Sequence, residues 1–348
     1  VDDEDSARDC TLAEKQDPNF EPTARYWVPQ QEVVLRAARV PSALKRAFRD
    51  EDPDRCLKAL AEALAGYSIA TEGRPPREEL LHRVLGATHP WRTILKGIPE
   101  KILQSPETLA HGFEMQRYTP LSADDLLFLA DGPEDALELT QALIERKQPR
   151  WLMGWRDICR STDERTVIAS VFPFVGVNNK LPLFFAVTTP PIACMLAANL
   201  QAMAFDFVAR QKIGGTSLTY FYMKQMPILI PHVFARADVE FVSLRVLELT
   251  YTSHLMKPWA EDLGYLGSPF AWNEDRRALL RAELDAFFAR KYGLSREELR
   301  YVLDPADVKG SSYPSETFRV LKNKEEARYG EYRTRRLVLE AWDRLENV

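Results

Sequence analysis

The chain has 348 residues, of which 45% are hydrophobic and 28% are charged, and its formal net charge is −5. The length suggests two or three domains, and the composition is ordinary for a soluble globular protein. No apolar run approaches the roughly 18 residues that a membrane-spanning helix needs, and we expect no signal peptide at the N-terminus, which is acidic instead of basic and then apolar. The four cysteines form no CxxC pair and no histidine lies at zinc-finger spacing, so we expect a reduced, cytoplasmic protein without structural metal.

Residues 1–40 are predicted to form an N-terminal segment that pairs with the domain beginning near residue 150. The chain starts with Val1 and not with methionine, so we expect it to be a fragment or a processed piece of a longer protein. Residues 1–20 are acidic and polar, which indicates loose order, and the sequence from Ala24 predicts a short extended segment.

Residues 41–149 predict a helical region, because their apolar residues recur at helical spacing between prolines. Asp135 with Glu145 and Lys147 resembles the carboxylate and lysine spacing of metal-dependent nucleases. Both halves lie on one predicted helix, where strands would be expected in such a nuclease. A solvated helical face is therefore the favoured interpretation.

Two strands are predicted after residue 150, where the residue composition changes. Residues 166–174 and 181–187 are rich in β-branched and aromatic residues, and they predict the two arms of a hairpin. Asn178 and Asn179 lie between them and suit the positive φ of a tight turn.

A buried helix is predicted next, over 190–211, with proline at its start and small residues along its length. Residues 226–231 predict a last short strand. The predicted fold class is therefore α/β, of the α+β kind: a small mixed-sheet domain combined with a helical insertion and a helical C-terminal region.

The C-terminal region, 236–348, predicts helices with explicit boundary signals. Asn273 is a predicted N-cap, and Ser295 with Glu298 fits a capping box. Pro314 begins a long, charged helical tail.

Charge is unevenly distributed along the chain. Residues 1–149 carry 19 Lys/Arg against 27 Asp/Glu, whereas residues 150–231 carry 8 against 4. Residues 232–348 are nearly balanced, with 19 against 20. A basic segment within an acidic protein is typical of an anion-binding module, although an asymmetry of this size also arises by chance.

The first candidate site residues are arginines interleaved with tryptophans in the stretch RWLMGWRDICRSTDER. Arg156, Arg160 and Arg165 could supply forked donors to phosphates and guanine edges, and Trp155 could offer a stacking plane. Alternatively, neighbouring carboxylates pair with these arginines and Trp155 belongs to the core.

The second group of candidates lies in ARQKIGGTSLTYFYMKQ. A Gly-Gly turn lets backbone amides approach a phosphate, and nearby hydroxyl groups and cations would add to the contact. Alternatively, the glycines form a left-handed C-cap and the cations interact with the helix dipole. The candidates are Arg210, Lys212, Gly214, Gly215, Thr216, Tyr220 and Lys224.

Asn178, Asn179 and Lys180 form the third group. Asparagine side chains can read adenine edges, but a turn chosen for its backbone geometry is the favoured interpretation.

No single catalytic signature is present: the sequence has no GxGxxG after a strand, no GxxxxGK[ST] and no GxSxG. Instead, a series of blocks resembles one family, the C-terminal target-recognition region of large bacterial adenine-N6 DNA methyltransferases and type IIG-like restriction–modification proteins, with relatives in the BREX and DISARM phage-defence systems. The blocks include RYWVP, WLMGWRDICRSTDERTVIASVFP, LPLFF, FVARQKIGGTSLTYFYMKQMPIL, RVLELTYTSHLM and AEDLGYLGSPFAWNEDRRALLRAELDAFFARKYGLSREELRYVLDP.

The resemblance covers roughly residues 25–40 and 150–345, and Ser217 stands where many relatives carry histidine. It implies an α/β recognition core over 150–235, which reads double-stranded DNA, and a helical C-terminal region over 236–348. Residues 41–149 are then an insertion.

What the resemblance implies for activity is equally specific. The catalytic domain that binds S-adenosylmethionine and flips adenine is missing, so this fragment is expected to need no cofactor and to have no activity alone. Its expected partners are double-stranded DNA, the parent's N-terminal methyltransferase domain and other defence-system subunits, with no membrane. The alternative is a protein-interaction module that assembles a multi-subunit defence complex.

Overall fold

The computed structural model describes residues 8–22, 27–60, 125, 128–129, 131–185, 188–315 and 317–345. Helices predominate over a small three-stranded antiparallel sheet, which confirms the α+β class. The chain divides into two compact units, residues 1–25 with 150–348 and residues 26–149. Residues 150–235 and 236–348, predicted as separate domains, lie together in the first unit, and residues 27–40 lie in the second.

The first unit begins with a short helix and continues after residue 150 with the sheet and a series of helices. Its elements are α1 (Leu12–Gln16), β1 (Trp151–Trp155), β2 (Ala169–Pro173), β3 (Leu183–Phe184), α5 (Pro190–Gln201), α6 (Met203–Lys212), α7 (Tyr220–Met223), α8 (Arg236–Thr250), α9 (Lys257–Asp262), α10 (Glu274–Lys291), α11 (Arg296–Leu303), α12 (Pro305–Lys309), α13 (Arg319–Tyr329) and α14 (Arg333–Leu345), with 3-10 turns at Pro231–Val233 and His254–Met256. The second unit contains α2 (Gln30–Ala37), α3 (Ser42–Arg49) and α4 (Ala136–Arg146).

The sheet has the order β2-β1-β3, so β1 is central and antiparallel to both neighbours. The predicted hairpin between 166–174 and 181–187 is therefore wrong: both segments pair with β1, which the sequence presented as a basic and aromatic stretch. The sheet is antiparallel where a mixed one was predicted. A tight turn does form at residues 178–181, where the amide of Leu181 donates to the carbonyl of Asn178 at 3.1 Å. The positive φ expected at Asn178 and Asn179 is wrong, because among the described non-glycine residues only Glu51 has one.

The helix predicted over 190–211 is two helices, α5 and α6, which meet at 57°. Ala202 between them has extended backbone, with φ −66° and ψ 140°. A buried carboxylate explains the break, because Oδ1 of Asp285 accepts the amide N–H of Met203 at 2.7 Å. Within the described ranges, no single helix is long and apolar enough to cross a bilayer, although this bent pair meets the length and composition test together.

The core of the first unit forms around large buried aromatic side chains. Trp155, Phe205, Trp259 and Phe288 are all less than 2% exposed. Helix α10 serves two apolar clusters: Phe288 packs toward the sheet and α5, whereas its alanine face packs against α11 and α14. Residues 226–231 do not form the strand that the sequence predicts for them.

The helical predictions with local boundary signals are confirmed. The side chain of Asn273 caps α10, and Ser295 with Glu298 forms the capping box of α11. The C-terminal tail is helical but divided, because Gly330 adopts a left-handed conformation, with φ 75° and ψ 4°, at the end of α13.

The nuclease-like spacing in the second unit forms no site. The carboxylate of Asp135 caps α4 by accepting the amide N–H groups of Leu137 and Glu138. Glu145 lies near the other end of this helix, about 15 Å away at 1.5 Å per residue, and Lys147 donates to Asp125 at 2.6 Å. In the part of the chain that the structure describes, no group of His, Cys, Asp and Glu side chains could hold a metal ion.

Candidate nucleic-acid interface

Three of the predicted DNA-contacting segments meet on one face of the first unit. The amide of Asp157 donates to the carbonyl of Lys180 at 2.9 Å, and the amide of Leu218 donates to the carbonyl of Asp157 at 2.7 Å. The amide of Cys159 donates to the carbonyl of Thr216 at 3.1 Å. The chain after β1 is therefore held between the two other segments. We call residues 156–160, 178–182 and 212–224 the basic ledge.

Two buried side chains fix this arrangement. Trp155 ends β1 inside the core, and its indole N–H donates to the carbonyl of Leu218 at 2.6 Å. Asp157 is buried, and its carboxylate accepts from Nζ of Lys180 at 3.1 Å. Lys180 consequently joins two ledge segments while its side chain stays 48% exposed.

Arg210 does not belong to the ledge, so its prediction as a DNA contact is wrong. Its guanidinium is buried and donates to Asp206 at 2.9 Å and to the carbonyls of Ser161, Asp163 and Glu164 at 2.8 to 2.9 Å. The N–H groups of this guanidinium thus point into the protein. The function of Arg210 is to position the loop that follows the first ledge segment.

Arg165 also points away from the ledge. Its guanidinium donates to the backbone carbonyl of Gln201 and to the sulfur of Met203, and its Nε lies 3.8 Å from Asp206. Arg165 therefore cannot contact DNA together with Arg156 and Arg160.

The remaining ledge cations are accessible. Arg160, Lys212 and Lys224 are exposed and have no ion-pair partner within the described part of the chain. Arg156 is half-exposed, and the oxygen of Asp163 lies 3.5 Å from its guanidinium. These four side chains can reach an anion without first giving up a strong internal salt bridge.

The Gly-Gly stretch is open backbone and not a left-handed cap. Helix α6 ends at Lys212, its C-cap residue Ile213 has φ −90° and ψ 107°, and neither Gly214 nor Gly215 has a positive φ. A Cβ added at either glycine would meet nothing within 4 Å. The amides of Gly214, Gly215 and Thr216 donate to no backbone acceptor among the described residues, so a ligand could take them.

The asparagines have different environments. Oδ1 of Asn178 accepts the amide of Lys180 at 2.9 Å, and its carbonyl accepts the amide of Leu181 at 3.1 Å, so Asn178 mainly shapes the loop. Asn179 is exposed beside it. Asn179 is therefore the better placed of the two to read a base edge.

Tyr220 holds the sheet edge in place. Its hydroxyl accepts from the amide of Leu183 at 3.2 Å and donates to the carbonyl of the same residue at 3.0 Å. Its ring lies edge-on to Trp155, with the ring centroids 4.8 Å apart. The hydroxyl group is thus engaged with the backbone of β3.

Comparisons with protein-family models, with curated proteins and with solved structures find no match to this chain. The resemblance to target-recognition regions consequently stays a prediction.

Two apolar side chains on the ledge escaped the sequence reasoning. Phe221 is 70% exposed and Ile158 is 52% exposed, although both are large and hydrophobic. The exposure of Ile158 follows from the alternation of exposed and buried residues over 156–160 in the structure, which the sequence of this stretch does not show. Cys159 lies between exposed neighbours but is buried, and burial raises the pKa of its thiol to about 11, so it is not a thiolate nucleophile at neutral pH.

Proposed function

We propose that this chain is the DNA-recognition part of an adenine-specific DNA methyltransferase or of a related restriction–modification or phage-defence protein. The observation that carries the proposal is the basic ledge, where separate segments place exposed cations, free amides and apolar side chains on one face. The family resemblance of the sequence blocks supports the same function.

Phosphate contacts are assigned to the third ledge segment and to Arg160 of the first. Lys212 and Lys224 flank the open amides of Gly214, Gly215 and Thr216, and this combination of point charges and N–H donors suits the DNA backbone. Such contacts set the register of the protein on the duplex but carry no sequence information.

Base reading is assigned to the other two segments. Arg156 presents forked donors that suit a guanine edge, and Asn179 presents an amide that suits adenine. Ile158 lies on the same segment as Arg156 and offers an apolar surface to a thymine methyl group.

The catalytic chemistry belongs to the parent protein in this proposal. Its methyltransferase domain would bind S-adenosylmethionine and flip the target adenine, while the present chain grips the duplex. The partners are double-stranded DNA, that domain and other defence subunits, in the cytoplasm. The fragment alone has no catalytic function.

The test is binding of a fluorescently labelled duplex pool to the chain carrying both Lys212→Ala and Lys224→Ala. We expect the Kd to rise about tenfold or more at low salt, because two phosphate contacts are lost. Fluorescence anisotropy titrations measure this directly.

The matched control is the pair Lys257→Ala and Lys309→Ala, which removes the same charge from exposed positions outside the ledge. It should bind as the unmodified chain does. Equal losses in the two double variants would mean that net charge alone governs binding, and the ledge assignment would then be abandoned.

A further inference from the structure

A two-lobed cleft lies in the first unit, away from the ledge segments. Its larger lobe, of about 560 Å³, opens between α10, α13 and α14. Its smaller lobe, of about 220 Å³, extends toward β2, α5 and α8. Arg165, Arg277, Arg281 and Asp285 line both lobes. The larger lobe by itself lies within the range of roughly 300 to 1,000 Å³ that pockets for small ligands span, and the smaller lobe adds to it.

The larger lobe is strongly cationic. Seven Lys/Arg and four Asp/Glu side chains line it. The cations at its rim are paired: Lys324 with Glu164 at 2.6 Å, and Arg328 with Glu274 at 2.6 Å. The positive charge without an ion-pair partner among the described residues therefore includes Arg277 and Arg281, which line both lobes.

Arg277 and Arg281 lie one turn apart on α10 and have no ion-pair partner among the described residues. The guanidinium of Arg277 lies over the Trp272 ring at 3.7 Å and donates to the carbonyl of Leu249, but its Nε is buried without an acceptor. The Nε of Arg281 reaches only the carbonyl of Arg277, at 3.3 Å.

This pair is only partly compensated, because the carboxylates of Asp285 and Glu248 act on it at a distance without forming an ion pair. The pKa of Arg277 is lowered to about 10, mainly by burial and to a smaller extent by the charge of Arg281. Burial and the charge of Arg165 likewise lower the pKa of Arg281. Arg277 is half-buried and Arg281 is exposed, and their like charges repel each other at a separation of one helical turn. An anion bound between them in the cleft would relieve that repulsion.

The smaller lobe calls for a different chemistry. Apart from the four charged residues that it shares with the larger lobe, its walls include Val171, Ala198, Val246 and Leu284, and the hydroxyl groups of Ser170 and Thr250 donate to backbone carbonyls. A ligand that fills both lobes therefore has an anionic part and a compact uncharged part. Guanidinium groups favour phosphate because they bind it with paired, charge-assisted hydrogen bonds.

We propose that this cleft binds a phosphorylated small molecule of the nucleotide class, with its phosphates on Arg277 and Arg281 and its uncharged group in the smaller lobe. The proposal does not depend on the DNA-binding function, since none of the cations that line the cleft lies on the ledge.

The test is isothermal titration of the 348-residue chain with ATP, GTP, CTP and UTP, and with pyrophosphate and adenosine as the separated parts. We expect at least one nucleotide to bind more tightly than pyrophosphate, and adenosine to bind too weakly to measure. Absence of binding by all four nucleotides at millimolar concentration would overturn the proposal. Pyrophosphate binding as tightly as every nucleotide would overturn it too, because the smaller lobe would then contribute nothing.

The variant for this test is Arg281→Gln, because Arg277 also supports Trp272 and its loss could unfold the helix. We expect Arg281→Gln to weaken nucleotide binding at least about tenfold with little change in melting temperature. The matched control is Arg276→Gln, on the same helix but paired with Glu248 outside the cleft, and it should bind nucleotide normally. Unchanged binding by Arg281→Gln would refute the site.

A competition with duplex DNA separates the two functions. We expect a saturating duplex to leave nucleotide affinity unchanged, and Lys212→Ala with Lys224→Ala to bind nucleotide normally. If the duplex displaces nucleotide and Arg281→Gln loses both ligands together, the cleft belongs to the DNA-binding surface and the proposal of a separate ligand site fails.

Discussion

Arg210 and Lys212 show how two cations only two positions apart can have opposite roles. Asp206 and Arg210 are four residues apart on α6, so they face the same way, into the protein, and form an ion pair at 2.9 Å. Lys212 is exposed at the end of that helix. The pairing of Asp206 with Arg210 could be read from spacing. The three carbonyl acceptors at 161–164 could not, because they are nearly fifty residues away in sequence.

Asp285 is a buried carboxyl group whose protonation makes the stability of the fold depend on pH. Burial raises the pKa of its carboxyl group from the ordinary 3.8 to about 6, although Arg165 and Arg281 oppose the shift; Asp206 adds to it. The folded state thus keeps a proton that the unfolded state has lost, so this group's contribution to stability falls as the pH rises from about 4 through 6.

Asp285→Asn keeps an acceptor for the Met203 amide and cannot ionise. We expect the variant to be more stable, relative to the unmodified chain, by about 2 kcal/mol at pH 7.5 than at pH 4.5. The reason is that only the unmodified chain loses stability as Asp285 ionises. Urea unfolding at the two pH values measures the difference. A difference that is the same at both values would show that Asp285 is ionised throughout.

At the scale of elements, local signals were sufficient for helices but not for the sheet. Asn273 and Ser295 correctly predict the start of their helices, because capping depends on neighbours within one turn. Strand pairing depends on distant residues: β1 takes β2 on one side and β3 on the other, and no local pattern separates that order from a simple hairpin. The break at Ala202 likewise requires Asp285, more than eighty residues away.

The candidate site was predictable to a similar extent. Residue types and charge located the three segments that form the ledge. Their hydrogen bonding side by side, through Asp157 and Leu218, follows only from the fold. The sequence does not predict the cleft, because Arg277 and Arg281 lie in a helix whose charged pattern resembles an ordinary solvated face.

Gly154 tests the sheet arrangement. A Cβ at this position would lie 2.3 Å from the carbonyl oxygen of Pro182, on the segment that leads into β3. We expect Gly154→Ala to cost about 2–3 kcal/mol of unfolding free energy, because backbone must move to relieve the overlap. Chemical denaturation gives the value.

Gly214→Ala is the matched control for that experiment. Its Cβ would enter open space, and its φ is not positive, so the change should be neutral or stabilise by up to about 1 kcal/mol. If Gly154→Ala were as harmless as Gly214→Ala, β3 would not pack against β1 as described.

For the whole molecule, the decisive property is where charge lies and not how much there is. The net charge of −5 provides no general attraction for DNA, and charges farther away than about 8–10 Å are largely screened at physiological salt. Binding by the ledge must therefore come from its own contacts, above all those of Arg160, Lys212 and Lys224. The salt dependence of binding therefore reports how many phosphate contacts the ledge makes.

Each phosphate contact contributes about −0.9 to the slope of log K against log salt concentration for duplex DNA. Three contacts give a slope of about −2.7, or a loss of about 40-fold between 50 and 200 mM salt. Lys212→Ala with Lys224→Ala should reduce the slope by about 1.8, whereas Lys257→Ala with Lys309→Ala should leave it unchanged. Anisotropy titrations at four salt concentrations suffice. An unaltered slope in the ledge variant would place the phosphate contacts elsewhere on the molecule, because counter-ion release reports contacts wherever they are made.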